Sequence, residues 1–232
     1  MHPGRRAALT EALRDAVALV LPVDCSGCGE PGRVICTQCR AAVAPAVHPA
    51  DRGGTVVHCA LDYDGVARSA IAAFKDGGRP TLAGVLGPAL LAAVLAAAAA
   101  APTAASPGRG IELVAVPSSR SAYRRRGYSP VDDLLRAGGL RTSRVLRVAG
   151  QHADQAGLGR EARSANVAGG FTVRGVRRGR DQPLAGRRFL IVDDILTTGS
   201  TMLAAADAVS AGGGDVVGAA ALAETRLRGR RG

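Results

Sequence analysis

Short apolar runs alternate with segments of helical spacing along most of this chain. TVVHCALDY alternates apolar and polar positions like a strand, and IELVAVP, RRFLIVDD and DVVGAAALAE are further strand patterns. Between them, VARSAIAAFKDGG and STMLAAADAVSAGGG place apolar residues at helical spacing and end in glycine. Strands that alternate with helices predict an α/β domain with a mostly parallel sheet.

The remaining segments have weaker patterns. SSRSAYRRRGYSP predicts a basic loop after the strand IELVAVP, and a helix is predicted over 131–137 and a strand over 144–148. Residues 151–170 are polar without a clear period. At the N-terminus, the apolar residues Leu9, Leu13, Val17, Val20 and Leu21 predict a short amphipathic helix.

Residues 80–108 contain no charged residue and are long enough to span a bilayer. Alanine is only weakly apolar, however, and Gly84, Gly87 and Pro88 interrupt the run. We therefore predict a buried helix followed by a flexible linker, with no membrane span. Glu11, Arg14 and Asp15 interrupt the region that a signal peptide would need, so we expect a cytoplasmic protein.

Four of the five cysteines form two CxxC pairs within CSGCGEPGRVICTQC, with seven residues between the pairs. Two such turns can supply a closed tetrahedral shell of thiolates, which is the arrangement of a structural zinc site. A pair of disulfides is the alternative, and a cytoplasmic location disfavours it. We predict structural Zn²⁺ bound by Cys25, Cys28, Cys36 and Cys39. Cys59 is predicted to be a buried thiol in the strand TVVHCALDY, and no role is assigned to His48 or His58.

The formal net charge is +11, and residues 111–232 carry nine of these charges. A basic surface raises the local concentration of phosphate-bearing partners. Of the 30 basic residues, only Lys75 is a lysine. The half of the chain that carries the positive charge also carries the principal motif.

That motif is FLIVDDILTTGST, at residues 189–201. Ligands of open α/β sheets bind beyond the carboxyl ends of the strands, where the strand pattern reaches Asp193 and Asp194. The following loop leads into a helix whose first amides are free to bind a phosphate, and Gly199 lets the backbone approach closely. The carboxylates suit sugar hydroxyls or a hydrated divalent ion such as Mg²⁺. Together they predict a site for a 5-phosphoribosyl compound such as PRPP, formed by Asp193, Asp194, Thr197, Thr198, Gly199, Ser200 and Thr201.

Two other interpretations fit the motif less well. A Walker B strand of an ATPase also ends in acidic residues, but it requires a Walker A loop with a lysine, and the only lysine lies in AFKDGG. A simple helix cap needs one hydroxyl or carboxylate, which does not explain two acids and four hydroxyl residues.

The chain as a whole resembles the ComF family of competence-associated proteins, which have the type I phosphoribosyltransferase fold. The resemblance covers about residues 15–225. The similar features are the four-cysteine module, the turn Tyr63, Asp64, Gly65, the helix end at Phe74 and Lys75, the strand end at Val116 and Pro117, the RRRGY segment, the block Gln155, Leu158, Arg163, Asn166, Phe171, and the PRPP-type loop. It implies a zinc module over 1–50 and a phosphoribosyltransferase-like domain over 55–232.

The resemblance also implies roles for two basic segments. Pro117, Ser118, Ser119 and Arg120 would form the pyrophosphate-binding turn, and Arg124, Arg125 and Arg126 a mobile loop over the site. A solvated basic loop is the alternative for these arginines. The family's RGFNQ segment reads Arg126, Gly127, Tyr128, Ser129, Pro130 here, which removes two polar amides.

Three functions follow as hypotheses. The ComF resemblance implies a PRPP-binding factor of DNA uptake, with single-stranded DNA and a competence helicase as partners. An active phosphoribosyltransferase of nucleobase or nucleotide metabolism is the second, although three Phe, three Tyr and no Trp provide no evident base-stacking pocket. The third is a phosphoribose-regulated module that binds a protein partner.

Overall fold

The computed structural model describes residues 23–102, 110–118, 120–149, 170–175 and 182–226. The predicted N-terminal helix, most of the linker after residue 100 and most of the polar block 151–170 lie outside these residues. The helices are α1 Thr37–Ala42, α2 Gly65–Lys75, α3 Ala83–Ala100, α4 Arg120–Arg126, α5 Pro130–Ala137 and α6 Ser200–Ala211, with a 3₁₀ turn at Pro80–Leu82. The strands are β1 His48–Arg52, β2 Thr55–Asp62, β3 Ile111–Ala115, β4 Leu146–Val148, β5 Phe171–Val173, β6 Arg188–Leu196 and β7 Asp215–Glu224.

Five strands form one sheet in the order β1-β2-β7-β6-β3. The pairs β2–β7, β7–β6 and β6–β3 are parallel, and only the edge strand β1 is antiparallel. The predicted α/β class with a mostly parallel sheet is confirmed. Because parallel strands share their direction, the ends of β2, β3, β6 and β7 meet at one edge of the sheet.

Both faces of this sheet are covered, which explains why its strands are apolar runs. Along β6, Leu190 and Val192 pack with α2, α3 and α5, whereas Phe189 and Ile191 pack with α6 and the β4–β5 ribbon. Full burial of such a side chain contributes about 1.5–3 kcal/mol. The sheet is therefore a rigid platform for the loops at its edge.

The uncharged segment forms the predicted buried helix. Among the described residues, Pro80–Ala100 is long and apolar enough to cross a membrane, and 44% of its most apolar window is buried inside the fold. Its residues Leu86, Leu90 and Val94 belong to the core on the α2 side of the sheet. The core helix of a soluble protein passes the same test, so length and composition by themselves do not indicate a span.

Residues 120–126 differ from the sequence prediction. They form helix α4, whereas the sequence predicts a loop. Gly127, with φ 77°, ends the helix, and its amide donates to the carbonyl of Tyr123 at 2.7 Å. A tertiary contact also holds this helix, because Arg126 at its end pairs with Asp76.

The four-cysteine cluster packs against the α/β domain. Cys25, Ile35 and Cys39 belong to the same apolar core as Phe74 of α2. At Gly27, a Cβ atom would lie 2.6 Å from Sγ of Cys39 and 2.8 Å from a methyl group of Val66, so the approach requires glycine. The domain boundaries drawn from sequence stay a prediction.

Candidate phosphate-binding site

The loop Thr197–Gly199 joins β6 to the 12-residue helix α6, as the motif predicts. Gly199 is the N-cap with φ 82° and ψ −8°, a left-handed conformation that glycine adopts without strain. Thr197, Thr198, Ser200 and Thr201 are exposed, and the N-cap Gly199 has no side chain that could cap α6. The hydroxyl of Thr198 lies 3.0 Å from that of Ser200 and accepts a long hydrogen bond, at 3.4 Å, from the amide of Ser200. The amides and hydroxyls at this helix start are available to an anion.

The acidic pair lies inside β6 and not at its end as predicted, because the strand continues two residues beyond Asp194, to Leu196. Asp194 is 9% exposed and Asp193 is half-buried. The backbone amide of Asp194 donates to Oδ1 of Asp193 at 2.8 Å. Burial is the main cause that raises the pKa of Asp193 to about 8, and the negative charge of Asp194 is the second.

Lys75 neutralises the second carboxylate. Its Nζ lies 3.0 Å from Oδ1 and 2.9 Å from Oδ2 of Asp194, and both side chains are largely buried. The lysine is the last residue of α2, and the fully buried Phe74 before it fixes the helix end. In the sequence, Lys75 draws attention for two reasons only. It belongs to the family resemblance, and it is the single lysine of the chain but does not lie in a Walker A loop. A single lysine directly after a core phenylalanine was the available signal.

The predicted pyrophosphate turn lies beside the acidic pair. Ala115 at the end of β3 pairs with Val192, and the amide of Val116 donates to the carbonyl of Val192 at 2.9 Å. Pro117 and Ser118 therefore follow a strand that runs directly alongside β6. Ser119 and the side chain of Arg120 lie outside the described residues.

The three consecutive arginines differ from one another. Arg126 donates from Nε and Nη2 to Oδ1 of Asp76, at 3.1 and 3.0 Å, and only 13% of its side chain is exposed. Arg125 lies 3.5 Å from the same carboxylate but is 67% exposed, and Arg124 is also exposed. Burial opposes ionisation of Asp76, but Arg126, Arg125 and Lys75 outweigh it and lower the pKa of Asp76. Arg126 thus joins α4 to the end of α2, and Arg124 and Arg125 face solvent.

Tyr128 strengthens the same junction. Its hydroxyl donates to the carbonyl of Phe74, and the two ring centroids are 5.7 Å apart. Burial raises the pKa of this tyrosine. The residue after the RRRG segment therefore fixes the helix end that carries Lys75.

A cavity of about 480 Å³ opens next to Pro117, at the end of β3. Tyr123, Tyr128, Asp132 and Arg144 contribute to its walls, whereas the phosphate loop does not. Its charged groups are already engaged, since Asp132 accepts from Thr142 at 2.7 Å and lies 3.6 Å from Arg144. The cavity is a neighbour of the phosphate loop and does not contain it.

The predicted metal ligands come together. The sulfur atoms of Cys25, Cys28, Cys36 and Cys39 all lie within 4.8 Å of one another, and all five cysteines are free thiols. Burial opposes ionisation of Cys25, but backbone amides of Cys28, Cys36 and Gly27 outweigh it and lower the pKa to about 6. Burial and the neighbouring sulfurs raise the pKa of Cys39. Four thiolates at this separation repel one another, so the donor set fits a divalent cation that compensates their charge.

Comparison with known proteins supports one class of ligand. Residues 156–231 match the family model of the phosphoribosyl transferase domain, and this segment includes the acidic pair, the phosphate loop and α6. The predicted phosphoribosyltransferase type is supported for this part of the chain, and with it a site for a phosphoribosyl compound. No curated protein matches the chain significantly.

Two solved structures are similar over most of the chain. An adenine phosphoribosyltransferase is 17% identical, covers 81% of this chain and 90% of its own, and has a TM-score of 0.41. The Saccharomyces cerevisiae adenine phosphoribosyltransferase, complexed with D-2,5-dideoxy-2,5-imino-altritol 1,6-bisphosphate and adenine, is 16% identical, covers 82% and 89%, and has a TM-score of 0.33. Because both TM-scores are below 0.5, no residue role is transferred from these enzymes.

Proposed function

We propose that this chain binds PRPP, or a closely related 5-phosphoribosyl compound, together with Mg²⁺. The observation that carries the proposal is the start of α6 at a left-handed glycine, with its exposed hydroxyl-rich loop, next to the carboxylates of Asp193 and Asp194. Anions bind at such helix starts, and carboxylates suit the sugar hydroxyls on the other side of the ligand.

Each part of the ligand has a proposed partner. The loop of Thr197, Thr198, Gly199, Ser200 and Thr201 would hold the 5-phosphate, and the turn from Pro117 to Arg120 the pyrophosphate. Asp193 and Asp194 would hold the ribose hydroxyls or Mg²⁺. A divalent cation suits this pair because a nearby positive charge favours the ionised form of Asp193, which burial disfavours.

Calorimetric titration of PRPP with Mg²⁺ tests the site. Wild-type protein should release heat with one ligand per chain, and Asp193→Asn and Asp194→Asn should weaken binding. Asp215→Asn is the matched control, because that carboxylate is 67% exposed at the opposite end of β7. The absence of heat with the wild type would rule out the proposed ligand.

We further propose a ComF-like role in DNA uptake, in the cytoplasm, with single-stranded DNA and a helicase as partners. The exposed Arg124 and Arg125, on the more basic part of the chain, support contact with a phosphate backbone. Arg126 does not take part, since Asp76 already holds its guanidinium.

Binding of a fluorescent oligonucleotide at several salt concentrations tests the DNA contact. The double variant Arg124→Ala, Arg125→Ala should bind more weakly and should lower the salt slope by about one for each lost phosphate contact. Arg33→Ala, an exposed arginine near the cysteine cluster, is the control. If both variants bound the oligonucleotide equally well, the proposed DNA contact would be wrong.

Two alternative functions would use the same phosphoribosyl site. An active phosphoribosyltransferase would release pyrophosphate from PRPP in the presence of one of a panel of bases. A regulated protein-binding module would bind its partner differently with and without PRPP. The family match supports phosphoribosyl binding equally in all three cases.

A further inference from the structure

Arg52 contacts the phosphate loop from a strand far away in sequence. It is the last residue of the edge strand β1 and is 8% exposed. Its Nε donates at 2.8 Å to the carbonyl of Thr197, which is 145 residues further along the chain. A buried arginine thus reaches the first residue of the loop.

Three of the four remaining N–H donors of this guanidinium are also occupied. Nη2 donates to Oε2 of Glu224 at 2.8 Å and to the carbonyl of Thr225 at 3.0 Å, and Nη1 donates to the carbonyl of Asp51 at 2.9 Å. The charge of Arg52 is compensated by Glu224 and most of its donors point at protein acceptors. Arg52 is therefore not free to bind a phosphate itself.

The aliphatic part of Arg52 contacts the other end of the loop. A Cβ atom on Gly199 would lie 2.7 Å from Cβ of Arg52. The arginine consequently holds the loop at both ends, through the carbonyl of Thr197 and through packing against Gly199. The amides that follow, at the start of α6, depend on the position of these two residues.

Glu224 is itself held in place. Its Oε1 lies 2.9 Å from Nε2 of His48, whose Nδ1 lies 2.9 Å from the carbonyl of Ala46. His48, Asp62 and Glu224 also come close enough to hold a cation. However, Arg52 neutralises Glu224, and Arg226 pairs with both oxygens of Asp62. The geometry supports a buttress for Arg52 better than a metal site.

We propose that Arg52 is a positioning residue, which keeps the Thr197–Gly199 loop in its ligand-binding conformation and is itself oriented by Glu224. The proposal rests on the proposed function, since it assigns a role toward the ligand of that loop. Such a role differs from general stabilisation, because it acts on the loop more than on the fold.

Hydrogen exchange of the ligand-free protein tests the positioning directly. In Arg52→Met, the amide of Leu203, which donates to the carbonyl of Gly199 at 2.9 Å, should exchange about tenfold faster, the effect of losing one hydrogen bond to a charged group, while β3 keeps its protection. Glu224→Gln should produce a smaller change at the same amide. Arg40→Met, an exposed arginine of α1, is the control.

Ligand binding provides the second readout. Arg52→Met should bind PRPP with Mg²⁺ about tenfold more weakly, and Arg52→Lys should fall between it and the wild type because lysine keeps the charge but not the planar set of donors. Should Arg52→Met fail to fold, Arg52→Lys and Glu224→Gln are measured instead. Unchanged loop exchange in the folded variants would overturn the proposal, whereas a wild type that binds no PRPP would sink only the proposed function.

Discussion

At the scale of single residues, two adjacent carboxylates are in opposite electrostatic situations. Asp194 is neutralised by the ammonium group of Lys75 at 2.9 Å, whereas burial and the charge of Asp194 raise the pKa of Asp193 to about 8. The pair therefore holds one negative charge more readily than two. A ligand that brings Mg²⁺ would supply the missing positive charge.

The raised pKa of Asp193 makes stability depend on pH. The folded state keeps a proton that the unfolded chain loses near its ordinary pKa of 3.8, so the free energy of unfolding falls as pH rises from about 4 to about 8. Asn cannot ionise, so Asp193→Asn should become progressively more stable than the wild type across this interval. Thermal unfolding without Mg²⁺ between pH 5 and pH 9 measures the difference. Parallel curves for Asp193→Asn and the wild type would contradict the assignment.

Lys75→Met should destabilise the protein by about 1–3 kcal/mol, because it leaves the largely buried carboxylate of Asp194 without its hydrogen-bond partner. The double variant Lys75→Met, Asp194→Asn should recover part of this loss, as a double-mutant cycle in urea unfolding would show. Arg226→Met breaks the exposed pair with Asp62 and should leave unfolding unchanged. If the changes in unfolding free energy caused by Lys75→Met and Asp194→Asn were additive, the coupling free energy between the two side chains would be zero.

At the scale of elements, the loop between β6 and α6 combines a special backbone conformation with a tight contact. Gly199 has φ 82° and no room for a Cβ atom beside Arg52. Either property alone would favour glycine, and together they make the position intolerant of any side chain. The loop is therefore shaped by its own sequence and by a strand that precedes it by more than a hundred residues.

Gly199→Ala should lower the free energy of unfolding by about 2 kcal/mol, from backbone strain and displacement of Arg52, and should abolish PRPP heat in calorimetry. Gly186→Ala is the matched control, since Gly186 has φ 70° but a Cβ atom there would meet nothing within 4 Å. That variant should be strained by about 1–2 kcal/mol and still bind PRPP. Normal PRPP binding by Gly199→Ala would show that the loop geometry is not required.

At the scale of the whole molecule, the cysteine cluster and the phosphate loop lie on one continuous structure. Gly27 lies close to both Cys39 and Val66, which is near the start of α2, and Lys75 at the end of the same helix pairs with Asp194. Helix α4 is attached there too, through Arg126 and Asp76. Helix α2 thus connects the candidate metal centre with the candidate ligand site.

The zinc predicted for the four-cysteine cluster should raise the thermal unfolding midpoint, and a chelator should lower it by several degrees, because metal binding to thiolates contributes directly to folding. Cys28→Ser should lose the metal, measured as zinc content after dialysis. Cys59→Ala should retain one zinc ion per chain, since burial raises the pKa of Cys59 to about 12 and it lies outside the cluster. Equal zinc content in both variants would contradict the four-cysteine site.

The sequence by itself determined most of the alternating strands and helices, the glycine turn between β6 and α6 and the four-cysteine cluster, but not α1, β1, α4 or β5. These features depend on local patterns: apolar periodicity, a glycine in a hydroxyl-rich turn after a strand, and the spacing of two CxxC pairs. Local physics acts over a few residues, so it can be read without coordinates. The helix at 131–137 and the strand ending at Val148 were predictable for the same reason.

Only the tertiary structure decided which groups surround that loop. Lys75 and Asp194 are 119 residues apart in the chain, and Arg52 and Thr197 are 145 apart. Such pairs arise from strand order and helix packing, which no local pattern encodes. A third distant pair, Arg126 and Asp76, holds the helix formed by residues 120–126, where the sequence predicts a loop. The sequence thus identifies the loop that would bind a phosphate, and the fold supplies the lysine and the arginine that hold it and its acidic neighbours in position.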